Sequence, residues 1–148
     1  MNFTLKKFSE LSTSELYDLL QLRSEVFVVE QKCAYQDLDG KDKDALHLIA
    51  KINEETVAYA RLFAPGISHK EAAIGRVVVS GKTRGKEYGK ELMKKAIELI
   101  FKEFNTDEII ISAQKYLEKF YTQLGFVSEG EPYPEDDIPH IKMRLKKR

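Results

Sequence analysis

Cysteine is nearly absent from this chain. Cys33 is the only one, which excludes a disulfide framework and a cysteine-based zinc site. Charge of one sign is missing too, because Lys plus Arg and Asp plus Glu each total 24. A nucleic-acid binder normally carries a large positive excess, so the balance argues against that class. No apolar run approaches the length of about 18 residues that a membrane-spanning helix needs. The segment Met1–Lys7 lacks the apolar stretch and small-residue cleavage site of a secretory signal. Four prolines sit in two short regions, and neither a fixed-period repeat nor a low-complexity linker interrupts the chain. What is present is 148 residues, 43% hydrophobic, 10% aromatic and 32% charged, an ordinary composition for a folded core under a well-solvated surface. That length has room for one domain, residues 1–148. The expectation is a soluble, cytoplasmic protein with no membrane and no nucleic acid among its partners.

Apolar periodicity outlines the elements. Phe3–Phe8 alternates as a first strand. Ser12 followed by Glu15 is a capping-box signature, and Leu16, Leu19, Leu20, Val26 and Phe27 form an apolar stripe behind it. Arg23 falls inside that stripe. An arginine there needs an anionic partner or a ligand, or else a stem that packs while its head reaches solvent. Val28–Asp44 reads as a long polar loop with four aspartates, Asp37, Asp39, Asp42 and Asp44. A hairpin follows, Ala45–Ile52 and Thr56–Ala64 around Asn53-Glu54-Glu55, and then a strand at Ala72–Ser80 with Val77-Val78-Val79 buried. Glu87–Phe104 is the clearest helix, with Leu92, Met93, Ala96, Ile97, Ile100 and Phe104 on one face and Glu91/Lys95 and Glu98/Lys102 at favourable i, i+4 spacing opposite. Asp107–Ser112 reads as a strand, Tyr116–Leu124 as a short helix, and Phe126–Glu131 and His140–Leu145 as final strands. Alternating strands and helices indicate a mixed α/β domain.

The informative stretch is Ile74–Met93, where a hydrophobic strand runs through Ser80-Gly81-Lys82-Thr83-Arg84-Gly85-Lys86-Glu87-Tyr88-Gly89-Lys90 into the long helix. First-turn amides have no intrahelical partners, and the helix dipole favours negative charge there. Glycines admit a phosphate close to the backbone, and Arg84, Lys86 and Lys90 add positive charge, so a phosphate or pyrophosphate site is the direct reading. The bland alternative is a glycine-containing loop beside a solvated helix end. No Gly-x-x-x-x-Gly-Lys-Ser/Thr pattern is present, which excludes a Walker-type site on pattern, and no Gly-x-Gly-x-x-Gly pattern points to a dinucleotide fold.

Arg84-Gly85-Lys86-Glu87-Tyr88-Gly89 resembles the pyrophosphate turn of the GNAT superfamily of acetyl-CoA-dependent N-acetyltransferases, Arg/Gln-x-x-Gly-x-Gly/Ala, with Glu87 in place of the first glycine. Ala113-Gln114-Lys115-Tyr116-Leu117-Glu118-Lys119-Phe120-Tyr121-Thr122-Gln123-Leu124-Gly125-Phe126 resembles the superfamily's other signature, an amide residue at a strand end, then a short helix carrying an aromatic-Tyr pair, then Gly-Phe. Leu22–Gln31, Tyr35–Gly40 and Asp137–Met143 are similar to the ElaA-type family within it. The resemblance implies a GNAT-type α/β fold, with a central, mostly antiparallel sheet, a splayed parallel pair and flanking helices. It implies acetyl-CoA as co-substrate, no metal, and an acceptor that is a small-molecule or protein amine.

The same resemblance implies site residues. Backbone groups of Val77, Val78 and Val79 would pair with the pantetheine arm, with an N–H at Val78 or a neighbour polarising the thioester carbonyl. Amides of Gly85–Gly89 (Gly85, Lys86, Glu87, Tyr88, Gly89), with Arg84 and Lys86, would hold the pyrophosphate. Gln114 would meet the pantetheine, and Tyr121 would protonate the departing thiolate. For the base, His140 is one candidate, because histidine is the residue type suited to proton transfer near neutral pH, and Glu30 is the other, paired with Arg23. Arg23, Glu30 and His140 are the substrate-side candidates, while His47 and His69 read as structural or solvent-exposed. The segment Glu129–Asp137 carries five carboxylates, either a solvated loop or an acceptor wall that would attract a polyamine, an amino sugar or a lysine side chain. Two other classes stay open, a non-catalytic acyl-CoA-binding module and an acyltransferase resembling acyl-homoserine-lactone synthases. The chain is a monomer or a homodimer on these grounds.

Overall fold

Period-2 alternation along the middle strands decides which side of the sheet each residue faces. The computed structural model describes residues 1–148 and holds seven strands. They are β1 (Asn2–Lys7), β2 (Leu46–Ile52), β3 (Glu55–Phe63), β4 (Ala72–Val79), β5 (Glu108–Gln114), β6 (Val127–Glu135) and β7 (Ile138–Lys146). Their order in the sheet is β1-β2-β3-β4-β5-β7-β6. Every neighbouring pair is antiparallel except β4–β5. This is the mixed sheet with one parallel pair that the sequence led us to expect.

Leu48, Ala50, Ala58, Ala60 and Leu62 face one side, where they meet Leu92, Met93, Ala96 and Ile100 of helix α2 (Tyr88–Glu103). The alanines of β2 and β3 leave room for the helix, and each large apolar side chain buried there contributes about 1.5–3 kcal/mol. Tyr121, on the short helix α3 (Glu118–Gln123), joins the same cluster. Residues out of phase with these, Ile49, Tyr59 and Val78, face the other side and pack on Leu19, Leu22, Val26 and Phe27. Ser12 caps helix α1 (Thr13–Arg23) as the sequence indicates, its side chain accepting from the Glu15 N–H at 3.0 Å.

Four boundaries differ from expectation. Ser24–Glu30 continues α1 as a π-helical turn, so Val28–Glu30 is not loop; Val26 and Phe27, buried in one cluster with Ile49 and Tyr59, hold the turn against the sheet. Helix α2 begins at Tyr88, because Glu87 is its N-cap in the left-handed region (φ 59°). Helix α3 is preceded by a 3₁₀ turn over Lys115–Leu117. The acidic segment before His140 is not a loop at all. It is the second half of β6 and a tight turn at Asp136-Asp137, both with positive φ, a conformation that aspartate tolerates better than most residues. On α2 the contact that forms is Lys95–Glu98 at 3.7 Å.

Arg23 is fully buried, with 0% of its surface exposed. Its Nε donates to Asp37 Oδ2 and its Nη1 to Asp42 Oδ1, both at 2.8 Å. Arg61 grips Asp39 through both carboxylate oxygens at 2.8 Å and reaches Asp42 at 2.9 Å. Arg76 Nε lies 2.8 Å from Asp37 Oδ1, an ion-pair contact rather than an aligned hydrogen bond. Three arginines from α1, β3 and β4 thus clamp the segment between the π-helical turn and β2 onto the sheet. Burial alone would raise the Asp39 carboxyl, but hydrogen bonds from Arg61 and the Lys41 N–H hold it far below the usual range. Burial likewise opposes the lowering at Asp42, where the Arg23 hydrogen bond and charge win.

Removing one partner of a buried ion pair strands the other charge, so Arg23→Ala should lower the unfolding free energy by about 3–5 kcal/mol in urea titrations. Because the Asp39 and Asp42 pKa values are depressed in the fold, their stabilisation is present above the unfolded carboxylate pKa of about 3.9 and is lost as pH falls below it. Stability should therefore drop below about pH 4, less steeply in Asp39→Asn than in the parent protein.

Candidate active site

The parallel pairing of β4 with β5 is short. It covers Ala72↔Ile109 and Ala73↔Ile110 only, after which the strands part. On its other side β4 stays paired to β3, but Gly75 lies opposite Arg61 and Val78 opposite Tyr59. Three steps along β4 answer two along β3, so β4 carries a bulge with Arg76 at φ 50°. The bulge turns β4 away from β5, which keeps its own partner β7 from Glu108↔Lys146 to Gln114↔His140. Between the parted strands lies a cavity of about 830 Å³.

One end of the cavity is the turn leading into α2. Thr83, Arg84, Gly85, Glu87, Tyr88, Gly89 and Lys90 line it. Gly85 has φ +85°, a conformation a side chain would strain. The N-terminus of α2 has no side-chain cap, so its first amides remain available to an anion. Glu87 stands in the left-handed conformation that explains a glycine at this place in the motif, and its side chain is exposed. Lys86 is exposed and does not line the cavity; Lys90, one helical turn on, does. Arg84 makes a bidentate pair with Glu30, one arm at 2.9 Å, and also donates to the Val79 carbonyl at 3.2 Å.

The middle is walled by Val77, Val78 and Val79 of β4 on one side and Ile111, Ser112 and Gln114 of β5 on the other. Gln114 Nε2 donates to Gln31 Oε1 at 3.3 Å, which bridges β5 to the residue after the π-helical turn. Tyr121 is 7% exposed and lines the cavity from α3. Its ring packs edge-on against Phe120 and Phe126 at 5.1 and 6.0 Å. Burial, with a smaller contribution from Tyr116, pushes its hydroxyl up to about 12, so it stays protonated at neutral pH.

The far end is lined by Phe27, Cys33, Tyr35, Arg76, Glu135, Asp136, Ile138 and His140. His140 Nδ1 lies 2.7 Å from the Ile138 carbonyl and Nε2 lies 3.2 Å from Glu135 Oε2. Cys33 Sγ–H donates to the Asp136 carbonyl at 3.2 Å, tying this wall to the hairpin turn.

Besides Lys86, two expected placements are corrected. Arg23 does not line the cavity; its guanidinium is engaged by Asp37 and Asp42 below the surface, so it holds the wall rather than a substrate. Glu30 does line the cavity but pairs with Arg84 at the turn, not with Arg23. The acidic wall shrinks as well. Glu129 is held by Arg144 Nε at 2.7 Å, and of the five carboxylates only Glu135 and Asp136 reach the cavity. His47 is buried between Tyr59 OH at 2.6 Å and the Asp42 carbonyl at 2.8 Å, away from the cavity. His69 lies on an exposed loop beside Ser68. Arg76 and Tyr35 were not singled out from the sequence, because neither the bulge nor the folded-back segment has a local signature.

The profile of the acetyltransferase (GNAT) domain matches residues 9–147. Protein ElaA of Escherichia coli K12 is 46% identical over 137 residues, covering 91% of this chain and 90% of its own. The crystal structure of E. coli ElaA superposes with a TM-score of 0.90 at 42% identity, over 99% of this chain and 100% of that one. An acyl-CoA N-acyltransferase from Pseudomonas aeruginosa superposes at 0.91 with 44% identity, over 98% and 99% of the two chains. The acyl-homoserine-lactone synthase LasI shares the fold at a TM-score of 0.80 and 12% identity, over 98% of this chain and 89% of its own.

Proposed function

This chain belongs to the GNAT acetyltransferase family and is an acyltransferase, and from that premise we propose that it moves an acetyl group from acetyl-CoA to a primary amine by direct attack in a ternary complex. The observation that carries the reading is the single cavity joining an uncapped helix N-terminus, an unpaired stretch of strand and a buried tyrosine. Amides of Gly85 to Gly89 and the Arg84 guanidinium suit a pyrophosphate. The β4 backbone over Val77–Val79, left without β5 as a neighbour, offers hydrogen-bonding groups to an extended amide-bearing arm. Held there, a thioester carbonyl would be polarised by a β4 N–H, with the acyl carbon positioned for attack from the far end.

Tyr121 is the general acid of this reading. Burial disfavours the tyrosinate, so the hydroxyl enters the reaction protonated and donates a hydrogen bond to the developing thiolate; because the thiolate has the lower proton affinity, full transfer requires that the site assist it. His140 is the basic group at the acceptor end. The two carboxylates there, Glu135 and Asp136, favour a cationic amine over an anionic one. Glu30 takes a different part from the one its sequence position suggested. Its carboxylate occupies the arginine that a pyrophosphate would use, so phosphate binding must displace it.

A panel of primary amines with acetyl-CoA, read by free-thiol release, tests the reading; turnover with none of them would leave an acyl-CoA-binding protein without this activity. Tyr121→Phe should keep the fold and lower kcat by about 10²–10⁴-fold, the usual contribution of a positioned acid. Because Tyr121 loses its proton only at about 12, the parent rate should show no loss of activity from this group as pH rises from 7 to 10. Glu30→Gln should tighten CoA binding in calorimetry about 3- to 10-fold, since a neutral amide no longer competes for Arg84, and the gain should shrink with added salt.

A further inference from the structure

We propose that Glu135 is the group that takes the proton from the acceptor ammonium, and that His140 holds that proton across the β6–β7 hairpin. The inference rests on the amine-acceptor reading above. Strand β6 leaves β7 between Glu129 and Tyr133, then pairs again at Tyr133↔His140, Pro134↔Pro139 and Glu135↔Ile138. The repaired end delivers Glu135 and His140 to one wall of the cavity, next to the turn at Asp136-Asp137.

The geometry gives the two residues different access. The His140 side chain is 9% exposed, while that of Glu135 is 50% exposed. The imidazole stacks on Tyr133, centroids 6.3 Å apart and planes at 26°. Its Nδ1 is 2.7 Å from the Ile138 carbonyl, which can only accept, so Nδ1 carries a hydrogen. In the neutral ring Nε2 is then the nitrogen with a lone pair, and it lies 3.2 Å from Glu135 Oε2. A lone pair facing a carboxylate is repulsive, and a proton placed between them turns the contact into a charge-assisted hydrogen bond. The pair therefore gains from taking up one proton, and Glu135 is the member that an acceptor can touch.

The other polar and titratable groups around the imidazole do not provide this. On β6, the Tyr133 hydroxyl is bonded to Ser112 of β5. Gln114 of β5, in register with His140, is neutral and bonded to Gln31. In the turn, the Asp136 carbonyl accepts from Cys33. Across the cavity, Arg76 is engaged by Asp37 and lies near the ring of Tyr35. On β7, Lys142 is 3.8 Å from Glu129. Glu135 is the carboxylate within ion-pair distance of the imidazole.

In the step, one N–H bond of the acceptor ammonium breaks and its proton passes to the Glu135 carboxylate and on to the Nε2 lone pair. The nitrogen electron pair released by that bond forms the C–N bond at the thioester carbonyl; the C–S bond then breaks, the thiolate takes the Tyr121 proton, and the second proton shed by the nitrogen restores Tyr121 by way of water. Glu135 is left as a carboxylate beside an imidazolium, and the proton later departs to water over the exposed face of Glu135. No oxidant, reductant or metal enters the balance.

The test uses two acceptors of nearly equal shape, ethylamine, which is largely protonated at pH 7, and 2,2,2-trifluoroethylamine, which is largely neutral there. Thiol release from acetyl-CoA is measured for the parent protein, Glu135→Gln and Glu135→Asp, each checked for retained fold by circular dichroism. Glu135→Gln should lower kcat/KM for ethylamine about 10²-fold and for the fluorinated amine less than about 3-fold. Its deficit with ethylamine should shrink as pH rises and the amine arrives neutral, and Glu135→Asp, which keeps the carboxylate, should recover at least about 10-fold of the loss. An equal loss with both amines would show a merely structural role and overturn the relay, as would full ethylamine activity in Glu135→Gln. A parent protein that releases no thiol with either amine or with any of the panel overturns the acceptor reading itself, and the relay with it.

Discussion

The parting of β4 from β5 is the constraint on which the site depends. A sheet normally satisfies its backbone by pairing every strand with its neighbours, and buried N–H and C=O groups left without partners are costly. Here β4 carries an extra residue against β3 at Arg76, so it rotates out of register with β5 after Ala73. β5 cannot follow, because its full length is paired with β7. The wedge between them is kept open by two sets of hydrogen bonds that do not yield together. In the reading proposed above, its free edge would pair with a ligand that has amide groups of its own.

An open wedge needs walls, and the chain builds one of them from a segment with almost no regular structure. The residues after the π-helical turn would have little reason to lie on the sheet by hydrophobicity alone. Three arginines hold them there through Asp37, Asp39 and Asp42. The arrangement is charge-balanced and mostly buried, which makes it directional. Each guanidinium accepts only a narrow set of carboxylate positions, so the cluster determines where Tyr35 and Cys33 stand along the cavity. Arg76 serves both features, since the bulge places it in the left-handed region and Asp37 then fixes its head.

The even charge of the whole sequence conceals how charge is used locally. Arg84 and Lys90 line the end of the cavity formed by the α2 turn, and Glu135 and Asp136 line the opposite end. An anionic donor and a cationic acceptor would enter from opposite ends of one cleft and meet in its apolar middle. Other charges that look similar in the sequence are neutralised where they stand. Glu129, Glu71 and Glu108 surround Arg144, and the first two are held below the usual carboxylate range by hydrogen bonds from it.

The sequence by itself determined what depends on neighbours in the chain. Alternation and helical spacing located the strands, the cap at Ser12 and the long helix, and the strand-turn-helix at Ile74–Met93 located one end of the cavity. These are short-range properties, written in residue type and period. Only the tertiary structure decided what depends on residues far apart. Arg23 and Glu30 sit seven positions apart near the end of one helix, yet one is a buried structural cation and the other pairs with Arg84 at the turn before α2. Nothing local distinguishes them; their partners Asp42 and Arg84 arrive from 19 and 54 residues away. The same holds for Glu135, one carboxylate of five in its segment, which acquires a distinct place because the hairpin folds it back onto His140. Long-range pairing of charges has no period to read, so it becomes visible only when the sheet is assembled.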